Sequence, residues 1–190
     1  MRQLRRVLFV TGAALLSAGA LQPSKTRADS GAVGFDRGMQ PVLASYLAIQ
    51  DQLSRDSLDG IGAAAAALAQ AAARLDPSSV SDEHATHYKD IAANLQRSAE
   101  SVAKARDLGA AREAFKQLSQ PMAMWATMSH FDGVDVLFCS MAKASWLQKH
   151  GEVRNPYYGA SDLHCGGALA STGHSPAMHN ESHADEHHTH

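Results

Sequence analysis

The stretch Leu108–Cys139, LGAAREAFKQLSQPMAMWATMSHFDGVDVLFC, holds the change of period that decides the fold. Leu108, Ala111, Phe115, Leu118, Met122 and Trp125 recur in steps of three and four, the seam of an amphipathic helix. Pro121 sits inside this run and must remove a backbone hydrogen bond. Because the seam keeps its phase across the proline, one kinked helix is expected rather than two unrelated ones. After His130-Phe131-Asp132-Gly133 the spacing drops to two: Val134, Val136 and Phe138 alternate with Asp135 and Leu137, as in a strand. So short a strand needs a partner, and Ser145 to Gln148 is placed to supply it as a β-hairpin.

Upstream, the helical period repeats. Pro41 suits a first helical turn, and Val42, Leu43, Tyr46, Leu47 and Leu53 return on one face until Arg55-Asp56-Ser57. A second seam runs through Leu58, Ile61, Ala65, Leu68, Ala72 and Leu75; Gly60 and Gly62 weaken its start and Asp76-Pro77 ends it. A third begins near Ser81, a good N-cap followed by Asp82 and Glu83, and continues through Tyr88, Ile91, Leu95, Ala99 and Val102. Four amphipathic segments with short connections predict a mainly α fold: an antiparallel four-helix up-down bundle carrying a C-terminal β-hairpin. Aromatics make up only 6% of the chain while alanine is abundant, which favours close-packed helices over a β-sandwich.

The two ends read differently. Met-Arg-Gln-Leu-Arg-Arg is followed by an uncharged run from Val7 to Leu21, a basic segment and an apolar core of secretory-signal length. That core is shorter than the ~20 residues needed to span a bilayer, so a cleaved signal over 1–28 is expected rather than an uncleaved anchor, with cleavage after 20 or 28. The expected folded domain covers 38–170, with no membrane span after processing. Residues 171–190 are Ser, Thr, Gly, Pro, Asn, Glu and His with almost no apolar side chain, and are expected to form a disordered tail. The location implied is periplasmic or secreted. A net charge of −2 gives no electrostatic case for nucleic acid or an anionic membrane surface.

Both cysteines fall beyond the strand's first half, at Cys139 and Cys165. Thiolate and thioether are soft donors that select monovalent copper or silver. Cys139-Ser140-Met141 is expected on an extended chain, where Cys139 and Met141 point the same way, and a fold-back of His164-Cys165 would complete a three- or four-ligand set. The alternative is a Cys139–Cys165 disulfide, the default for an exported pair, with a closed loop contributing ~3 kcal/mol. The two arrangements exclude each other. His174, Met178, His179, His183, His187, His188 and His190 mix imidazole and thioether and suit weak, multi-site capture of Cu(II), Ni(II) or Zn(II); an inert polar extension is the other reading. Further candidates are His84 and His87, three apart on the third helix, and Met122, Met124, Met128 and His130 before the strand. Solvent-facing histidines and core packing account for most of these.

The elements Cys139-Ser140-Met141-Ala142, Trp146-Leu147, Glu152-Val153-Arg154-Asn155-Pro156-Tyr157-Tyr158-Gly159 and Cys165-Gly166, in that order, resemble a bacterial family of domains of unknown function. Its members occur as free-standing exported proteins and fused to the periplasmic adaptors of copper/silver efflux pumps. The family pattern reads Cys-Pro-Met-Ala, Trp-Leu-Ser, Asn-Pro-Tyr-Phe-Gly and Met-Leu-x-Cys-Gly, after a helical half with an element like Leu118-Ser119. Ser140 stands for the family proline and Asp162 for its second methionine, and the Met141–Trp146 loop is shorter. The resemblance implies heavy-metal association at efflux machinery, with an efflux adaptor as a partner. The function expected is a copper or silver module using Cys139, Met141, Cys165 and His164; the rival is a disulfide-stapled bundle that docks on a protein. No Cys-x-x-Cys pair, haem-attachment motif, phosphate loop or nucleophile elbow marks it as an enzyme.

Overall fold

The computed structural model describes residues 26–80, 85–129 and 133–171, and side chains within them from 32 to 169. Four helices, α1 (Thr26–Ser54), α2 (Ile61–Ala72), α3 (Ala85–Ala103) and α4 (Leu108–Met128), precede three strands, β1 (Val134–Cys139), β2 (Ala144–Lys149) and β3 (Gly167–Ser171). The strands form one antiparallel sheet in the order β2-β1-β3. Each helix packs on the next along the chain, whereas α1 and α4 meet sparingly and β2 lies against both. Among the described residues no helix is long and apolar enough to cross a membrane.

The helix seams fall where the spacing placed them: Leu68, Ile91, Leu95, Phe115, Leu118, Met122 and Trp125 are fully buried. Pro121 is carried inside a continuous α4, as expected. The first helix differs. It begins at Thr26, not at Pro41, and Phe35 and Met39 extend its buried seam upstream. Phe35 meets the Tyr88 ring edge-on at 4.7 Å, and Asp36 Oδ1 accepts from Trp125 Nε1 at 2.8 Å and Ser129 Oγ at 2.7 Å. The packed unit therefore starts before 38. Pro41 is tolerated mid-helix because it lies on the exposed face, where water can satisfy the carbonyl its ring leaves free. The second helix starts at Ile61, after Gly60 in the left-handed region (φ 71°), and Leu58 stays exposed in the turn before it. The expected start of α3 at Ser81 lies outside the described residues.

The hairpin pairing is β1 with β2, Leu137 opposite Trp146 and Val136 opposite Leu147. The expected hairpin is in fact part of a three-stranded sheet, because β3 pairs with the other edge of β1. Sequence patterning missed β3 since Gly167-Ala168-Leu169-Ala170-Ser171 has one large apolar residue and no alternation. Its register slips between Val136 and Leu137, leaving Leu169 as the extra residue of a bulge and 60% exposed. β1 is central, with both its edges paired, and it buries residues on both faces: Val134 and Val136 on one, where Phe138 stays exposed, and Leu137 and Cys139 on the other. Simple alternation could not foresee burial on both sides.

Tyr46 joins the helices to the sheet. Its fully buried hydroxyl shares a 2.7 Å hydrogen bond with Ser119 Oγ of α4 and accepts from Leu147 N–H of β2 at 3.2 Å, while its ring stacks on Phe115 at 4.8 Å. Burial pushes the phenol's pKa well above its ordinary value, so it remains a neutral bridge. Tyr46→Phe strands two buried partners, and we expect a loss of ~1–3 kcal/mol, seen as a lower urea midpoint at unchanged m-value.

Candidate functional site

The outer face of the sheet is roofed by residues 150–166, and this is where both cysteines lie. Trp146 is the centre of the face, fully buried, with the Tyr157 ring edge-on at 5.9 Å. Gly166 lies directly on it: a Cβ there would sit 2.5 Å from the Trp146 ring, so only glycine lets the chain pass. Cys139, at the end of β1 and wholly buried, forms a disulfide with Cys165, their Cα atoms 5.4 Å apart. The two distant sulfurs are thus brought together, but as a bond. In this state neither is a thiolate donor.

Met141 and His164 stay at the surface. β1 ends at Cys139 and the chain turns over Ser140–Lys143, so the expectation that Cys139 and Met141 share one direction on an extended chain fails. Met141 is 56% exposed and His164 is exposed. Asp162 accepts from Cys165 N–H at 3.2 Å and so caps the turn that presents the cysteine. Among the described residues, no three His, Cys, Asp or Glu side chains gather as a metal site. His174, Met178, His179, His183, His187, His188 and His190 lie outside the described residues, as do His84 and His130. His87 is exposed, Met122 is core, Met124 is exposed and Met128 half-buried.

Two buried amides, which sequence reading passed over, organise the roof. Asn155, fully buried, donates from Nδ2 to Cys165 O (2.7 Å) and accepts at Oδ1 from Tyr157 N–H (2.7 Å) and Tyr158 N–H (3.3 Å). Its place before Pro156 signalled a turn, but not that the amide would tie the turn to the disulfide. Gln148 accepts at Oε1 from Trp146 Nε1 (3.1 Å) and Arg154 N–H (3.0 Å), and donates to Glu152 O (2.9 Å). Tyr157 O–H donates to Ser145 O, and burial raises its pKa. Among described residues, no buried side-chain nitrogen or oxygen lacks a partner.

A charged pair fastens the far end of the roof to the helices. Arg112 of α4 donates to Asp56, to Leu53 O (3.2 Å) and, through Nε, to Pro156 O (3.1 Å). Asp56 Oδ2 also accepts from Ala160 N–H at 3.0 Å. Asp56 has φ 56°, a left-handed turn that aspartate adopts more readily than most residues. Gly159 lies against this pair with no room for a Cβ. The Arg112 guanidinium, and then the Ala160 amide, hold the Asp56 carboxyl below its ordinary range.

The sheet and helices also frame two recesses. The larger, about 820 Å³, runs between α1 and the β2 end, over Leu43 and Leu47, with Arg55, Lys149 and Arg154 but also Asp51 and Glu152 at its rim. A smaller one lies between α4 and the β1–β2 turn.

Residues 42–132 match a family model described as a protein of unknown function (DUF3347). The match covers just under half of the chain and ends before β1, so it rests on the helices and not on the cysteine-bearing elements. No curated protein and no solved structure matches the chain. Similarity to a domain of unknown function is the part of the expected resemblance that these findings support.

Two outcomes follow from this geometry. Removing the disulfide, by reduction or as the paired Cys139→Ala and Cys165→Ala variant, is expected to cost roughly 3–4 kcal/mol from the entropy of a loop with 26-residue separation, measured by urea denaturation. Asp56→Asn should destabilise at neutral pH and flatten the acid limb. A depressed folded-state pKa contributes stability above the unfolded value of ~3.9 that is lost as pH falls through the folded one. The difference between wild type and variant should therefore shrink as pH falls below the unfolded value and through the folded one.

Proposed function

We propose that the chain is an exported, non-enzymatic docking module: an antiparallel up-down helical bundle whose disulfide-closed cap presents a rigid surface to a protein partner at copper or silver efflux machinery. The observation that carries this is the Cys139–Cys165 bond, with Cys139 wholly buried beneath the roof. A disulfide is what an oxidising compartment makes of two cysteines, and here it fixes Trp146, Asn155 and Gly166 in one packed layer. The basic and apolar leader sequence supports export, and the order of Cys139, Trp146, Asn155-Pro156-Tyr157-Tyr158-Gly159 and Cys165 supports the efflux setting. In this reading the histidines from His174 to His190 collect divalent metal at low affinity near the docked partner.

A second reading, soft-metal capture, draws support from a specific placement. Met141 and His164 are exposed on the two turns that carry the cysteines, so reduction would free two thiolates with a thioether and an imidazole close by. It requires an open disulfide.

One measurement separates them. Protein taken from the cell envelope without reductant is alkylated and weighed intact. We expect no thiol to react and no Cu(I) to be held by a variant truncated after Ser171. Two alkylated thiols, with stoichiometric Cu(I) binding lost in Cys139→Ala, would establish metal capture instead.

A further inference from the structure

The recess between α4 and the β1–β2 turn has one sign of charge. It measures about 320 Å³, at the small end of ligand pockets, and Lys116 and Lys143 are the only charged residues among the described ones lining it. Phe138 supplies an apolar wall and is 38% exposed although it belongs to a central strand; Ala123 adds to that wall. Gln117 and Gln120 bring amide donors from α4. The larger recess beside α1 mixes acids with bases and favours no particular ligand charge.

Lys143 is the second, independent observation. It has φ 51°, in a turn where glycine or asparagine would sit without strain. A residue held in that region where glycine would serve better points to use of its side chain. Lys116 is partly engaged: Glu113 lies 3.1 Å away one turn earlier, and the Tyr157 ring is 6.0 Å from its ammonium. Glu113 is exposed and Lys116 half-buried, so water screens the pair and an incoming anion can compete for the same ammonium.

We infer that this recess binds an acidic residue adjoining an apolar side chain in a partner's peptide segment, the carboxylate between Lys116 and Lys143 and the apolar group on Phe138. This rests on the docking reading above and names the surface and the chemistry it recognises.

The test uses the full disulfide-bonded chain labelled with ¹⁵N and two probes, acetyl-Ala-Glu-Leu-Ala-amide and its Gln counterpart. Saturable shifts at Gln117, Gln120, Lys143 and Ser145, at least ten-fold weaker for the Gln peptide, are expected. Lys143→Gly should weaken Glu-peptide binding five-fold or more while leaving the thermal midpoint unchanged or raised, since glycine relieves the turn. Lys116→Gln gives a second variant outside the turn and should weaken binding likewise. Equal shifts for both peptides, shifts away from the recess, no binding, or full affinity in Lys143→Gly and Lys116→Gln would overturn the inference. A photoreactive residue at Gln120 or at Ala48 in the larger recess separates this failure from the broader one. Partner adducts at Ala48 alone sink the recess but keep the docking reading; adducts at neither sink both. An adduct at Gln120 that is lost on Lys143→Gly supports the inference.

Discussion

A sheet of three strands, each five or six residues long, needs its apolar faces covered, and the rest of the molecule follows from how that is done. One face lies against the helices through Tyr46, whose hydroxyl reaches α4 and β2 at once. The other has no helix to cover it. Residues 150–166 supply the missing layer from irregular chain, which brings its own unpaired backbone groups. That is why buried side-chain amides, Asn155 and Gln148, appear where apolar packing alone would be expected.

The three fasteners of that layer differ in kind. The disulfide restricts the unfolded chain, and its contribution of roughly 3–4 kcal/mol does not depend on salt or on moderate pH. The Asn155 hydrogen bonds add little net free energy each, but leaving any of them unmade under the roof would be costly. The Arg112–Asp56 pair is partly exposed, so water and salt discount it. Its value is positional: one guanidinium holds Leu53, Asp56 and Pro156, joining the end of α1, α4 and the roof. Breaking the disulfide should thus loosen the Cys165 end of the roof while the Arg112 end still holds.

Much of this was legible in the sequence and some was not, for physical reasons. Period gave the helices and β1, because Leu118, Met122 and Trp125 or Val134 and Val136 report burial directly. Pro41 misled, because a proline on a helix's exposed face looks the same in sequence as one at its start. β3 was hidden because a bulged strand of small residues has no period to read. At the site, the cysteine pairing was one of two readings left open, since spacing cannot say whether two sulfurs meet as a bond or around an ion. Met141 was misplaced by one detail, the strand ending at Cys139 instead of running on. Asn155, Gln148, Arg112 and Asp56 were unremarkable polar residues until long-range contacts gave each a partner.

The fate of the sulfurs bears on how metal chemistry and folding could be divided along one chain. A buried cysteine in a bond is a poor place to receive an ion, because access would require lifting Gly166 from the Trp146 ring and opening the Asn155 hydrogen bonds. Exposed donors carry no such penalty. Among the described residues Met141 and His164 are such donors, as are His87 and Met124. Borderline ions such as Cu(II), Ni(II) or Zn(II) can be taken by imidazole without disturbing the fold, whereas a soft ion that demands thiolate can bind only after a separate thiol reductant has supplied the two electrons that open the disulfide, which loosens the layer that roofs the sheet. On the reading proposed above, metal capture at Cys139 and Cys165 and a rigid docking surface exclude each other, because each needs the opposite state of one bond.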